Sequence, residues 1–407
     1  MSIALLSVAD ALARVLDGVE PLPAEDAPLT EAHGRLLAAD VAALRTQPPA
    51  DLSAMDGYAV RAVDVASVPA TLNVIGEVAA GHPFEGGVGA GEAARIFTGG
   101  VVPPGADTIV IQENTGRDGD RITVKSPSPA GRHIRRAGLD FKQGQVLLPR
   151  GHRLTDRDLM LAAAMNHPSV PVHRRPTIAV LGTGDELKAP GSELGPGEIV
   201  YSNGFALVAL ARAEGAQVID LGIVPDQVEA TVAAIRRARV SGADILLTTG
   251  GASVGDYDLV QRGLAAEGLA LSFWRVALRP GRPLMHGHLG AMHVLGLPGN
   301  PVSAYVCAFL FLVPLLRRLA GRGDLRAAAE SATLGCELPE NDERADYLRA
   351  TLAPGPDGRP IATPVPVQDS SMMAALAKAD CLVIREPYAP PAAAGSRCAI
   401  LRLTRPF

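Results

Sequence analysis

The sequence predicts a multidomain α/β protein, and three observations support that class. With 407 residues, the chain is long enough for about two to four domains. From about residue 176 onward, apolar strands alternate with glycine turns and helices, as in a parallel or mixed sheet covered on both faces. Short alternating segments separated by Gly, Pro and Asp-Gly turns lie on either side of this region and predict two smaller β domains.

The composition excludes several classes of function. The formal net charge is −5 and both signs are spread along the chain, so we expect neither nucleic acid nor an anionic membrane as a partner. Hydrophobic residues make up 47% and charged residues 20% of the chain, which is typical of globular proteins rather than disordered ones. The 43 glycines and 33 prolines predict many turns and shaped loops.

Cysteine usage and the N-terminus predict a cytoplasmic protein. The four cysteines are widely scattered, which favours a reducing compartment over a disulfide framework or a zinc site. The first residues lack the features of a signal peptide and predict an amphipathic helix capped by Ser7. The most apolar run, residues 305–316, is shorter than the ~20 residues needed to cross a bilayer, so we expect a buried helix there.

These patterns divide the chain into four regions. A helix predicted from the capping-box spacing of Thr155 and Asp158 resumes the character of the first fifty residues, so the intervening β segment is expected to be an insertion. The predicted regions are a linking domain of residues 1–48 and 141–174, an inserted β domain of 49–140, an α/β domain of 175–324 and a β domain of 325–407.

Two glycine turns that follow predicted strands of the α/β domain carry acidic residues. Their segments, LLTTGGASVGDYD and LGTGDEL, contain the candidates Gly250, Gly251, Ser253, Asp256, Asp258 and Glu186. Free backbone amides and a helix N-terminus attract an anion such as phosphate, and magnesium would reconcile that anion with nearby carboxylates. The alternative is that the glycines form tight turns and Asp256 caps a helix.

Two further segments could contact an anion. LGLPGNPVSA predicts a rigid helix N-terminus, although a cap at Asn300 and a proline at the first helical position also explain much of it. Its candidate residues are Pro298, Gly299, Asn300, Pro301 and Ser303. WRVALRPGRPLMHG is a predicted strand-loop-strand unit whose arginines suit oxyanions but are also explained as solvated surface. They are Arg275, Arg279 and Arg282.

Other arrangements are less informative. Asp56-Gly57 and the loop that begins at Thr98 could be simple hairpin turns, although the bulky neighbours of Asp56 weaken that interpretation. The chain has no G-x-S-x-G motif, and neither the nine histidines nor the cysteines form a spaced triad or a metal-binding set. His286 and His288 alternate along a strand, so we expect one to be packed and the other solvated.

The motifs together resemble the MoeA family of molybdopterin molybdenumtransferases, which is also similar to the E domain of gephyrin. They occur in the order and spacing of the family over almost the whole chain, as PPADLSAMDGYAV, RIFTGGVVPPGADTIVIQE, RRAGLDFKQGQVLL, LGTGDEL, GEIVYSNGFAL, TTGGASVGDYDLV, RPGRPLMHG and LGLPGNPVSA. The resemblance implies magnesium-dependent insertion of molybdate into adenylylated molybdopterin, with release of AMP, to give molybdenum cofactor.

The resemblance also implies an architecture. The family combines a linking domain, an inserted β domain, a MogA-like α/β domain and a C-terminal β-barrel. It forms homodimers whose cleft lies between the α/β domain of one subunit and the inserted domain of the other. Expected partners are the two substrates, a MogA-type adenylyltransferase and downstream cofactor-modifying enzymes.

Site residues follow from matching positions in the family motifs. The resemblance implies that five polar residues bind or act on magnesium, molybdate or the adenylylated pterin. They are Asp56, Thr98, Glu186, Asp226 and Asp258. Glu186, Asp256 and Asp258 are the metal candidates. Arg275 and Arg279 occupy positions that are lysines in some members, and Arg349 matches an arginine facing the cleft. One departure is QDSSMMAA at residues 368–375, where the family often has a Ser-Ser pair after Gln-Ser-Gly.

Two other functions stay open. The α/β domain alone would suit molybdopterin adenylylation or CinA-like pyridine-nucleotide chemistry, but the added β domains and the MDGYAV loop count against both. A molybdopterin-binding scaffold or carrier without turnover is the non-enzymatic alternative, and the acidic residues at the strand ends count against it. The sequence does not distinguish molybdate from tungstate as the substrate. It also does not identify the individual magnesium ligands or the enzyme that receives the cofactor.

Overall fold

A computed structural model describes residues 5–250, 259–356 and 358–403. The chain forms two compact units. One comprises Met1–Glu25 and His173–Phe407, and the other comprises Asp26–Val172. The first unit contains the α/β sheet and the C-terminal strands, and the second contains a separate six-stranded sheet.

A six-stranded mixed sheet forms the centre of the first unit. Its spatial order is Gln217–Val224, Thr177–Thr183, Ile245–Thr249, Met292–Leu297, Met285–Leu289 and Ala270–Trp274. The first four strands are parallel, and Met285–Leu289 is antiparallel to both of its neighbours. Two parallel strands, Thr177–Thr183 and Ile245–Thr249, are buried at every position, as expected for a sheet covered on both faces.

Helices cover both faces of this sheet. They are Val8–Leu16, Asn203–Ala213, Val228–Val240, Leu259–Ala266, Pro301–Cys307 and Val313–Leu319. Successive residues of one strand belong to opposite cores, because side chains alternate along a strand. Val180 belongs to the same core as Leu207 and Leu315, whereas Leu181 belongs to the core of the opposite face together with Ile235.

Two predicted helices are confirmed. Val8–Leu16 begins after Ser7, whose Oγ accepts a hydrogen bond from the Asp10 N–H at 3.0 Å. The apolar run forms one buried helix with a π-helical turn at Ala308–Leu312. Among the described residues, Pro301–Leu319 alone is long and apolar enough to cross a membrane, but 83% of its apolar window is buried inside the protein. It is therefore a core helix of this fold.

The C-terminal strands close into a five-stranded barrel, as the family resemblance implies. In spatial order these strands are Ala345–Ala353, Ile361–Pro364, Glu330–Leu334, Arg397–Arg402 and Cys381–Arg385, and the last pairs again with the first. Closure removes both free edges of the sheet. The short strand Leu278–Arg279 leaves the α/β domain and pairs with Ala345 and Asp346 of the barrel.

The inserted sheet of the second unit is largely antiparallel. Its order is Thr108–Ile111, Gly57–Val60, Glu92–Ile96, Ala70–Val78, Arg121–Val124 and Thr115–Asp118. The short alternating segments of this region predict a small antiparallel β domain. That prediction is wrong at one pairing, since Ala70–Val78 runs parallel to Glu92–Ile96. Two consecutive parallel strands must start at the same end of the sheet. The connection of residues 79–91 is long enough to bring the chain back to that end, whereas a tight hairpin would be too short.

The rest of the second unit has its own core around Leu37, Phe141 and Met165. Its helix, Asp156–Ala164, confirms the predicted capping box, because the Thr155 N–H and Oγ1 both donate to Asp158 Oδ2 at 2.7 Å. The remaining short strands of the chain are Ala24–Pro28, Val41–Ala42, Leu52–Ser53, Ile134–Arg135, Val146–Leu148, Ser169–His173, Leu187–Lys188 and Ile199–Val200, and Met373–Ala377 is a short helix.

Candidate active site

The candidate site lies at the carboxyl edge of the central sheet, where the four parallel strands end together. Ligands of such sheets bind at this edge. The predicted turns all follow these strands, after Thr183, Thr249, Leu297 and Val224. Of the predicted residues, Gly251, Ser253, Asp256 and Asp258 lie outside the described part of the chain.

Gly250 brings three of the turns together. Its φ is +88°, and a Cβ added there would lie 2.5 Å from the carbonyl oxygen of Thr183. A Cβ added at Gly299 would lie 3.9 Å from the Cα of Gly250. The glycines therefore allow a close approach of backbones that a side chain at residue 250 would prevent.

Carboxylates line the same edge. Asp185 Oδ1 accepts a hydrogen bond from the Asp226 N–H at 3.0 Å, which links the turn after the first strand to the turn after its neighbour. Glu186 folds back so that its carboxylate lies against Gly184, where an added Cβ would be 2.4 Å from Oε2. Glu186 and Asp226 are both exposed. Two predicted carboxylates are thus available to solvent at the carboxyl edge of the sheet.

Tyr201 packs between two glycines at this edge. A Cβ on Gly182 would lie 2.5 Å from its ring, and a Cβ on Gly204 would lie 2.2 Å from its hydroxyl oxygen. Burial raises the pKa of Tyr201, so its hydroxyl is neutral at physiological pH. The glycines of LGTGDEL and YSNGFAL therefore have a packing role beside any role in ligand binding.

Several buried polar atoms at this edge have no hydrogen-bond partner among the described residues. Asn203 Oδ1 and Thr248 Oγ1 are two of them. The other side of the Asn203 amide is engaged, because Nδ2 donates to the Gly299 carbonyl oxygen at 2.7 Å. An unsatisfied buried polar atom costs about 1–3 kcal/mol, which a bound polar ligand could offset. Neither residue is among the site candidates predicted from the sequence. Thr248 does lie in the predicted TTGG turn, and the SNG segment at a helix start was the available signal for Asn203.

The three predicted arginines are in different situations. Arg275 has a φ of 101° and its guanidinium lies 5.5 Å from the centre of the Trp274 ring. Arg282 is exposed and forms no ion pair with the described residues. Arg279 instead joins the barrel, donating to Asp342 at 3.0 Å and forming a two-pronged pair with Asp346. The bond to Asp346 raises the pKa of Arg279. Its guanidinium is thus committed to carboxylates of the chain.

Arg349 is a buried cation of the barrel with a spare donor. Arg349 is only 1% exposed, and its Nη2 has no hydrogen-bond partner among the described residues. Gln368 Oε1 accepts from Arg349 Nε at 3.2 Å, and the Met372 carbonyl oxygen accepts from Nη1 at 3.2 Å. Burial lowers the pKa of Arg349 from its ordinary value. A free guanidinium donor in a buried setting is suited to an anionic group.

The segment that departs from the family pattern contacts the proline-containing turn. Asn300 Nδ2 donates to Ser370 Oγ at 2.7 Å, and the Val302 N–H donates to the Ser370 carbonyl oxygen at 3.0 Å. Asn300 and Pro301 also begin the helix as predicted, while Pro298 and Ser303 are buried beside them. A cavity of ≈ 400 Å³ opens between these elements, lined by residues that include Ser202, Asn203, Pro301, Tyr305 and Met373.

In the second unit, Asp56 and Thr98 form a pair. The Thr98 N–H and Oγ1 both donate to Asp56 Oδ1 at 2.8 Å. The backbone bond, then the hydroxyl bond, lower the pKa of Asp56, so it is ionised at neutral pH. Arg95 lies nearby with its guanidinium over the rings of Tyr58 and Phe97, at 5.1 and 4.8 Å. The two loops predicted from sequence therefore meet at one polar site.

Magnesium suits the donor set of the carboxyl edge. Mg²⁺ takes oxygen ligands, usually one or two carboxylates together with substrate phosphates and water. Glu186, one of the three metal candidates, supplies an exposed carboxylate after the strand Thr177–Thr183, while Asp256 and Asp258 lie outside the described residues. Arginines and unpaired polar atoms on the same unit could contact the oxyanions of a substrate.

Comparison with known families defines the class of protein. A model of a probable molybdopterin binding domain matches residues 179–318. Models of the MoeA N-terminal region (domains I and II) and of the MoeA C-terminal region (domain IV) match residues 6–166 and 331–403. The fold and these matches define a multidomain molybdopterin-binding protein.

Individual relatives identify the family. A molybdopterin molybdenumtransferase of Haemophilus influenzae is 34% identical over 400 residues, covering 97% of this chain and 98% of the relative. One from Nostoc is 41% identical over 300 residues, covering 72% and 69%. The crystal structure of a molybdopterin biosynthesis MoeA protein from Pyrococcus horikosii superposes with a TM-score of 0.84 at 30% identity, covering 99% and 100%. The chain belongs to the MoeA family of molybdopterin molybdenumtransferases, enzymes of molybdenum cofactor biosynthesis.

Proposed function

We propose that this chain inserts molybdate into adenylylated molybdopterin in a magnesium-dependent reaction that releases AMP. The observation that carries the proposal is the convergence of glycine turns, exposed carboxylates and unpaired polar atoms at the carboxyl edge of the molybdopterin-binding domain. The relatives are molybdopterin molybdenumtransferases, and the donor set at this edge suits a phosphate-bearing substrate.

Each group has a proposed role in that reaction. Glu186, with Asp256 and Asp258, would hold Mg²⁺, which when bound neutralises phosphate charge and favours departure of AMP. Gly250, Gly251, Ser253 and the turn from Pro298 to Ser303 would position the nucleotide and pterin phosphates through backbone N–H groups. Arg275, Arg282 and Arg349 would contact oxyanions, and Asp226 would orient the substrate. Catalysis would then rest on positioning and electrostatics rather than on a covalent nucleophile.

The second unit would complete the site in a homodimer. We propose that Asp56 and Thr98 act on substrate bound to the α/β domain of the partner subunit. The support comes from the loop itself. Two hydrogen bonds from Thr98 orient the charged carboxylate of Asp56, and a simple hairpin turn would not require these bonds. A cleft between subunits would also exclude water from the activated intermediate.

The testing experiment measures AMP release from adenylylated molybdopterin by the purified protein, with and without Mg²⁺ and molybdate. We expect release that depends on both ions. Glu186→Gln and Asp258→Asn should each reduce turnover by at least about tenfold while the thermal unfolding curve is retained, because metal-held charge is worth several kcal/mol in such sites. Glu193→Gln, an exposed carboxylate of the same region, is the matched control and should leave the rate unchanged.

The outcomes separate the competing functions. Substrate binding without release would show a scaffold or carrier. Formation of adenylylated molybdopterin from a nucleotide triphosphate would show an adenylyltransferase. Equal loss of activity in Glu193→Gln and Glu186→Gln would contradict a specific role for Glu186.

A further inference from the structure

Three histidines of the central sheet meet at one point, although the sequence spacing did not predict a metal-binding set. His286 and His288 lie two residues apart on Met285–Leu289, and therefore on the same face of the strand. The hairpin register places His293 of the next strand directly opposite His288. Ring centres are 4.5 Å apart for His288 and His293, and 5.0 Å apart for His286 and His288.

The burial of this cluster requires an explanation. His286 is fully buried, and neither of its ring nitrogens has a hydrogen-bond partner among the described residues. His293 is 8% exposed, and its Nδ1 also has no partner there. Buried polar atoms are hydrogen-bonded in the great majority of cases, and each exception costs about 1–3 kcal/mol. Three unsatisfied nitrogens at one place are thus a substantial cost unless something binds to them.

Two of the three imidazoles, those of His286 and His293, are in the protonation state that a metal requires. Burial, aided by the neighbouring His288, lowers the pKa of His286 to about 3 and that of His293 to about 4. Both rings are therefore neutral at physiological pH, and a neutral imidazole nitrogen is a metal ligand. The charge of Asp244 acts in the opposite direction and raises the pKa of His293, but Asp244 is itself paired with Arg174 at 2.7 Å.

We propose that His286, His288 and His293 bind a divalent first-row transition-metal ion, with Zn²⁺ as the reference ion. Their nitrogens lie within 4.8 Å of one another, and a tetrahedral ion with bonds of about 2.1 Å needs them roughly 3.4 Å apart. His288 is half-buried, so its side chain would make this adjustment, and its partial exposure would let a metal ion and a water ligand enter from solvent. Imidazole sets of this kind favour zinc, copper, nickel or iron over Mg²⁺.

This site is separate from the candidate active site. His293 lies at the start of its strand, and the active-site turn follows Leu297 at the other end, roughly 13 Å away at 3.3 Å per residue. The ion would bind across two antiparallel strands near the edge of the sheet. We therefore expect it to stabilise this hairpin, and the inference does not depend on the proposed reaction.

The test uses the full-length protein after removal of metal with a chelator. We expect calorimetric titration to give one Zn²⁺ per chain with a submicromolar Kd, Mg²⁺ to give no binding at this site, and Co²⁺ to produce visible absorption typical of tetrahedral coordination. Zn²⁺ should also raise the Tm, because a ligand that binds only the native state stabilises it.

Variants decide which residues are responsible. His288→Gln should weaken Zn²⁺ binding at least tenfold and abolish the cobalt absorption. His286→Leu should do the same while remaining folded, because it places an apolar side chain where no hydrogen bond is lost. His33→Gln changes an exposed histidine and should bind as the parent does. The proposal would be overturned if the parent failed to bind one tight Zn²⁺, or if His288→Gln and His286→Leu bound Zn²⁺ as tightly as the parent does.

Discussion

At the scale of single residues, this protein depends on positions where the backbone comes too close for a side chain. Gly250 combines a positive φ with contact to a neighbouring carbonyl oxygen, and Gly182 faces the ring of Tyr201. Thr248 and Asn203, which have buried polar atoms without a partner among the described residues, lie within two residues of Gly250 and Gly204 in the chain. Tight backbone packing and buried polar atoms thus occur together at the carboxyl edge of the sheet, where we propose that the substrate binds.

Gly250→Ala should destabilise the protein more than an ordinary glycine substitution does. The new Cβ meets both an unfavourable φ, worth about 1–2 kcal/mol, and the carbonyl oxygen of Thr183. Gly268→Ala is the matched control, because Gly268 has a φ of +86° but nothing within 4 Å of an added Cβ. Chemical denaturation should show a larger loss of unfolding free energy for Gly250→Ala. Equal losses would mean that the turn shifts to accommodate the methyl group.

At the scale of elements, ion pairs of Arg279 attach the short strand Leu278–Arg279 of the α/β domain to the barrel. Arg279 binds Asp346 and Asp342, and Asp342 also accepts from Arg344 at 2.7 Å. This explains why an arginine predicted to bind substrate is engaged within the chain. The strand pairing and the ion pairs hold the same two elements together.

This connection should weaken at acidic pH. The bond from Arg344, with contributions from Arg279, lowers the pKa of Asp342 to about 2, below the value of about 3.9 in an unfolded chain. The stabilisation is therefore fully present above about pH 4 and is lost as the pH falls toward 2. Thermal unfolding between pH 6 and pH 2.5 should show a smaller decrease in Tm for Asp342→Asn than for the parent. Asp17→Asn, which changes an exposed carboxylate, should follow the parent, and an unchanged slope in Asp342→Asn would contradict the assignment.

At the scale of the whole molecule, the candidate residues fall in two compact units. Asp56 and Thr98 belong to one unit, and Glu186, Asp226 and the glycine turns belong to the other. The proposed homodimer would bring these sets together from different subunits. That arrangement makes a quantitative prediction.

Asp56→Asn and Glu186→Gln should each have at most about a tenth of the parent activity alone. The two variants should recover activity when they are dissociated and reassembled together. Half of the random dimers would be mixed, and each would contain one intact site, so about a quarter of the parent activity should return. Sites built within one chain would regain nothing, because every site would still carry a substitution. Mass in solution, measured beside the AMP-release assay, checks that dimers are present.

Much of this organisation was predictable from the order of residues, and the reasons are local. The alternation of apolar strands and helices predicted a parallel or mixed sheet. Capping residues determined where helices begin at Ser7 and Thr155, and the ordered motifs determined the family. Tertiary structure alone decided which distant groups meet. The hairpin register assembled His286, His288 and His293, the barrel carboxylates engaged Arg279, and a long connection reversed one strand of the inserted sheet. Local patterns depend on neighbouring residues, whereas these contacts depend on pairing and packing between segments far apart in the chain, which no single segment encodes.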